Sequence, residues 1–237
     1  MLAEFLDRDE FYDKYMLNLA TRMAIGNVEM ESSPGTVSEQ YLDIYNNMDA
    51  FEYLITSDID RISPFDIKKC AEIINNGAYD GFRKTAVEVR KAKNFYPIDA
   101  KMVIPQMYNI INNYYNVWNM LPVYLKEAKL HIDLVRTQPF EDGNKRTARI
   151  LTNYNLCKQN KAPVIISGCE TDIYFSFIDN YDAEGFAKFL EEKSKQELEI
   201  MLILYKKIVG DDSIDINDID ENSIPYVYKK TFHKNIK

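Results

Sequence analysis

One stretch, Gln138-Pro139-Phe140-Glu141-Asp142-Gly143-Asn144-Lys145-Arg146-Thr147-Ala148-Arg149, constrains this chain more than any other. Its Asp-Gly-Asn step is turn chemistry: glycine takes positive φ freely, and Asp and Asn side chains bond neighbouring backbone. Ile150, Leu151, Tyr154 and Cys157 then recur at three- and four-residue spacing, which predicts a helix. A helix N-terminus has unpaired N–H groups and partial positive charge, so it attracts anions. Arg146 and Arg149, three apart, share a face just inside that terminus. Guanidinium forks pair with phosphate oxygens, so the two form a clamp suited to a di- or triphosphate. Asp142, at the mouth, is a candidate ligand for a Mg²⁺ that bridges those phosphates. Phe140 reads as the apolar anchor that aims Asp142. The stretch reads as a polyphosphate site.

The stretch also resembles the signature of Fic-domain proteins, His-x-Phe-x-(Asp/Glu)-Gly-Asn-x-Arg-x-x-Arg. Phe140, Asp142, Gly143, Asn144, Arg146 and Arg149 match, and Gln138 stands at the family's catalytic His. The resemblance implies a mainly α fold, a Fic-type helical bundle with a small β-hairpin flap over the active site. It also implies ATP and Mg²⁺ as ligands and a protein adenylyltransferase that moves AMP to a Ser, Thr or Tyr hydroxyl of a target protein. In that scheme Gly143, Asn144, Lys145, Arg146 and Arg149 bind nucleotide, and Asp142 holds the metal. Arg146, Asn144 and Gln138 take the catalytic positions. Glutamine has no titratable site near neutral pH, so it cannot act as the family's base, and weakened or absent activity is expected. Two alternatives stay open. One is a non-catalytic nucleotide- or peptide-binding pseudoenzyme. The other is a Doc-like protein kinase, because Lys145 stands where many AMP-transferring members have Gly; Arg149, which Doc-like members usually lack, favours the AMP orientation.

The chain of 237 residues can hold one substantial domain. A net charge of −8 argues against nonspecific binding to nucleic acid or anionic membranes. Cys70, Cys157 and Cys169 lack metal-ligand spacing, and an odd thiol count fits a reducing compartment. No apolar run approaches the ~20 residues that span a bilayer, and the acidic N-terminus does not read as a signal peptide. Cytoplasm is the expected compartment, with export by a signal-less route left open. A homo-oligomer is also left open.

Three segments are expected: residues 1–35 as an N-terminal helix and inhibitory segment, 36–209 as the Fic-type core, and 210–237 as an acidic linker and basic tail. Phe5, Phe11, Tyr15, Leu19 and Met23 predict an amphipathic helix over 2–25. Asn27 to Ser32 partly matches the family's inhibitory Ser/Thr-x-x-x-Glu-Gly/Asn, which implies that Glu31 pairs with Arg149; a solvated helix-end Glu is the plainer reading. Thr36-x-x-Glu39 is a capping box, and Ser63-Pro64 a second helix start. Residues 83–97 show short extended patterning, and the resemblance places the flap there, with Arg83, Lys93 and Phe95 as target-docking residues. Val103, Met107, Ile110, Tyr114, Val117 and Leu121 predict one helical stripe over 100–121. Further helices are expected over 123–136, near 172–180 and over 183–209, ending at Gly210. His131 reads as a structural histidine. Tyr174 falls near the family's adenine pocket, although an aromatic at such spacing is more often core.

Overall fold

A computed structural model describes residues 9–31, 35–57, 59–89 and 92–210. Its eight α-helices are α1 (Asp9–Glu29), α2 (Val37–Thr56), α3 (Pro64–Ile74), α4 (Val103–Asn112), α5 (Val123–Thr137), α6 (Asn144–Lys158), α7 (Thr171–Asp179) and α8 (Ala183–Val209), and no strand occurs among the described residues. The expected helical bundle is therefore present. Residues 2–8 of the predicted first helix and the acidic run at 211–222 lie outside the described residues.

Local chemistry sets the starts of α2 and α3. Thr36 accepts the Glu39 N–H and Glu39 returns to the Thr36 N–H; Ser63 and Asp66 do the same ahead of Pro64. The antiparallel pair α5 and α6 forms the centre. α5 also packs on α8, α4 and α7, while α6 packs on α2 and α3. The motif loop is the short link between these two central helices, so both of its ends are fixed by core helices.

α1 extends past its predicted end at residue 25, because Gly26 does not break it. A Cβ there would lie 2.7 Å from the Ile166 carbonyl oxygen, so glycine lets the helix press against the 165–166 backbone. Phe11, Tyr15 and Leu19 are fully buried in the common core, and the bidentate Arg22–Glu197 pair ties α1 to α8. This packing brings Asn27 and Glu31 over the motif helix.

Two expectations need correction. The stripe over 100–121 is not one helix: a 3₁₀ turn (Ala100–Met102) precedes α4, and a π-turn (Asn113–Val117) follows it. The wider turn shifts the register, so Tyr114 stays buried while Val117 is exposed. The flap region, 83–97, holds no strand among its described residues. Side chains pin it instead: Arg83 donates to the carbonyls of Thr85, Ile98, Thr137 and Gln138, and Asp179 accepts the N–H groups of Lys93 and Asn94.

The π-turn aims Tyr114 at Glu127, a fully buried carboxylate on α5 that also accepts from Asn155 and Gln159. Burial pushes the Glu127 pKa up to about 7, against the opposing pull of those donors. Burial, and secondarily the charge of Arg149, pushes His131 down to about 3. The linkage signs oppose. Glu127 contributes stability below pH 4.5 that is lost as pH rises towards 7; His131 contributes stability above 6.5 that is lost as pH falls towards 3. Carboxylates with depressed pKa are ionised in both states above pH 5, so they add nothing there. The two groups therefore offset one another from pH 5 to 6.5, and the unfolding free energy of the parent is expected to change less over that interval than Glu127 alone would make it. In His131→Asn it should fall by about 2 kcal/mol over that interval, as followed by denaturant unfolding. A variant that stays flat would contradict the raised Glu127 pKa.

Candidate active site

Two left-handed residues bracket the link between α5 and α6. Gln138 closes α5 at φ 48°, ψ 64°, and Gly143 opens α6 at φ 78°. Positive φ at Gln138 carries a steric cost that only surrounding structure can maintain. Here the Gln138 amide is drawn inward: Nε2 donates to the Val135 carbonyl at 2.6 Å, and Oε1 accepts from Asn144 Nδ2 at 3.1 Å. Gly143 has a second constraint. A Cβ would fall 3.0–3.2 Å from Asn75 and Ile74.

Asn144 closes the loop. Its Oδ1 accepts the Phe140 N–H and its Nδ2 donates to the Phe140 carbonyl, both at 2.9 Å. Phe140 is buried and stacked on Phe82, with ring centroids 5.6 Å apart, as its anchoring role requires. Asp142 accepts from the Gly143 N–H at 2.6 Å and from Arg146 Nη2 at 3.1 Å, and its carboxylate stays more than half exposed. Asn75 reaches across from the end of α3 to donate to the Asp142 carbonyl at 3.0 Å.

Arg146 and Arg149 are only 5% and 4% exposed. Arg146 lies 3.4 Å from Asp43 and 3.9 Å from Glu31; Arg149 bonds the side chain and carbonyl of Asn27 and lies 3.8 Å from Glu31. The other Glu31 oxygen is 3.9 Å from Lys145. One carboxylate thus faces three cations. Even so, Arg146 Nε and Arg149 Nη1 are buried without a hydrogen-bond partner. Buried donors left unmade are costly, and at a helix N-terminus they define a place for anionic oxygens. Burial raises the Asp43 pKa, Arg146 lowers it, and Glu31 and Asp142 raise it again. Adding one anion to this group therefore disfavours another.

The structure brings together Gln138, Asp142, Gly143, Asn144, Lys145, Arg146, Arg149 and Glu31. It does not present the flap residues as expected. Arg83 and Phe95 are buried, Arg83 on carbonyls and Phe95 beneath the Arg136 guanidinium; only Lys93 is exposed. The carbonyls at the end of α5 need donors, and Arg83 supplies them. Tyr174 is fully buried against His131, so it is core and offers no open face for a base. Asp43 and Asn75 were not singled out from the sequence; each makes its contact across more than 60 residues, which no local pattern announces.

A model of the Fic/DOC family matches residues 61–156, a span that holds α3, α4, α5, the motif loop and nearly all of α6. Over that matched span the chain resembles a Fic domain. Among its relatives, the protein adenylyltransferase Fic of Drosophila grimshawi is 29% identical over 124 residues, covering 51% of this chain and 25% of that protein. The protein of the same name from Drosophila melanogaster is 33% identical over 78 residues, covering 32% of this chain and 16% of that one. The chain therefore matches a quarter or less of the length of these relatives. The Fic fold is shared with a Fic domain containing signaling protein of Bacteroides thetaiotaomicron, at TM-score 0.68 and 18% identity over 90% of this chain and 93% of that one. Fic-1 of C. elegans superposes at TM-score 0.66 and 20% identity, over 86% of this chain and 71% of that one.

Gly143→Ala is expected to destabilise the protein by about 1–3 kcal/mol, through positive φ and the crowding by Asn75. Thermal unfolding of the variant checks it, and an unchanged midpoint would contradict the constraint at Gly143.

Proposed function

We propose that this Fic domain is a protein adenylyltransferase scaffold that binds Mg·ATP at Asp142–Arg149 and is weakened or inactive as written because Gln138 replaces the catalytic His. The observation that carries the reading is the pair of buried guanidinium groups at the α6 N-terminus, with Arg146 Nε and Arg149 Nη1 unpartnered. Donors of that kind suit phosphate oxygens. Asp142 fits a metal held by one carboxylate, because its side chain is exposed at the mouth while the loop holds its backbone; phosphate oxygens and water would complete the set. Mg²⁺ there would neutralise phosphate charge.

In the proposed reaction a target hydroxyl oxygen bonds to the α-phosphorus and the bond to pyrophosphate breaks. Arg146 binds the transferring phosphates, Arg149 the outer ones, and Asn144 holds the loop; Lys145 adds charge beside them. Positioning and charge stabilisation supply most of such catalysis. The hydroxyl proton must still leave, and Gln138 cannot take it. Its amide is already bonded to Val135 and Asn144. Loss of a general base costs about 10²–10⁴-fold.

Glu31 supports a second element, inhibition in cis. Its carboxylate stands 3.8–3.9 Å from Arg149, Arg146 and Lys145, where an outer phosphate would compete with it. The target protein is proposed to lie along the segment 83–97, with exposed Lys93 rather than buried Arg83 or Phe95 meeting it. The engaged Gln138 amide favours a second reading, a nucleotide-binding module without turnover. A Doc-like kinase rests on Lys145 alone and would leave phosphate rather than AMP on its target.

The test compares Glu31→Gly with Glu31→Gly/Gln138→His, each incubated with target-containing lysate, Mg²⁺ and ATP labelled at the α-phosphate. Protein-bound label only in the double variant is the expected outcome. No label in either, with ATP still bound, would favour the binding module and overturn the transferase reading.

A further inference from the structure

We infer that Asn47 is a positioning residue for the turn that carries Glu31: through Asn27 it fixes where that carboxylate meets the arginines, and the inference rests on the inhibition by Glu31 proposed above. Glu31 needs such an anchor. Its carboxylate oxygens stand 3.8–3.9 Å from Arg149, Arg146 and Lys145, beyond hydrogen-bond length, so these contacts supply charge attraction with little direction. Its backbone is better fixed. The Glu31 N–H donates to the Val28 carbonyl at 3.0 Å and the Met30 N–H to that of Gly26 at 3.2 Å, so this turn continues from the last residues of α1. Asn27 lies four residues before Glu31, and whatever holds Asn27 sets the position of the turn.

Asn27 is buried and held from two sides. Its Oδ1 accepts from Arg149 Nε, and its Nδ2 donates to Asn47 Oδ1 at 2.8 Å. Asn47, fully buried on α2, continues the chain: its Nδ2 donates to the Asp43 carbonyl at 2.7 Å. The two ends permit one arrangement. A guanidinium has donors alone and a carbonyl has lone pairs alone, so each amide turns its oxygen towards Arg149 and its nitrogen towards Asp43. Flipping either amide would set N–H against N–H and oxygen against oxygen where no water can relieve the mismatch.

The same part of α2 has a second hold on the site. Asp43, one turn before Asn47, places its carboxylate 3.4 Å from Arg146 Nη1. Its side chain therefore meets one arginine, while its carbonyl ends the chain of amides that leads to the other. α2 packs on both α1 and α6, so it registers the end of α1 against the motif helix. Without the Asn47 amide, Asn27 Nδ2 loses its acceptor, and the turn after α1 is tied to the site through Arg149 alone. Asn47 thus holds the carboxylate of Glu31 over the arginines without touching it.

Two measurements test this. Titration of Mg·ATP compares the parent, Glu31→Gly, Asn47→Ala and the double variant. The factor by which Glu31→Gly tightens ATP binding should be about fivefold smaller when Asn47 is replaced, as loss of one hydrogen bond implies, because the carboxylate is then no longer held at the arginines. An Asn47 that served folding alone would leave that factor unchanged, and an unchanged or larger factor overturns the inference. The second measurement is hydrogen–deuterium exchange without nucleotide. The amides of Met30 and Glu31 should exchange about fivefold faster in Asn47→Ala while those of the last turn of α2 keep the parent's rates; unchanged rates at Met30 and Glu31, or equal acceleration in both places, overturn it. If Asn47→Ala does not fold, Asn47→Ser replaces it, since its hydroxyl keeps a bond to the Asp43 carbonyl and is too short for Asn27. If Glu31→Gly does not tighten ATP binding in the parent background, the inhibition reading fails instead, and the exchange rates alone decide the positioning role.

Discussion

Two guanidinium groups buried side by side are the constraint around which this bundle is arranged. A charge removed from water needs close partners, and Arg146 and Arg149 draw theirs from four parts of the chain: α1 and the turn that follows it with Asn27 and Glu31, α2 with Asp43, the α3 end with Asn75, and the motif loop with Asp142. Those contacts make α1 part of the site rather than an appendage. They also explain why the loop can hold Gln138 and Gly143 in left-handed conformations, because both flanking helices are fixed independently by core packing. Even with these partners, Arg146 Nε and Arg149 Nη1 are left unspent.

The same economy of donors appears on the other side of the loop. The last turn of α5 exposes carbonyls that no helix can pair, and Arg83 takes those of Thr137 and Gln138 while its N–H meets Pro139. The segment after Arg83 is thereby tied to the motif loop, with no β-ladder among its described residues. A target laid along it would be registered against the loop by one buried arginine.

How much of this was legible in the sequence follows from the range of each interaction. The capping boxes at Thr36 and Ser63 were readable because donor and acceptor lie three residues apart. The motif helix and its arginine pair were readable for the same reason, as spacing on one helix. Glu31 was reachable only through family resemblance, since nothing local distinguishes it from Glu29. Asp43, Asn75 and the buried fate of Arg83 were not readable, because each depends on a partner more than 50 residues away. The π-turn was missed for a related reason: periodicity alone cannot see the buried Glu127 that Tyr114 reaches.

On the proposed reading, Glu31 stands where an outer phosphate of a nucleotide would bind. Calorimetric titration of Mg·ATP into the parent and into Glu31→Gly tests it most directly, because the substitution removes the carboxylate without touching either arginine. Clearly tighter ATP binding by Glu31→Gly is expected. Equal affinity in the two proteins, or weaker binding by the variant, would contradict it.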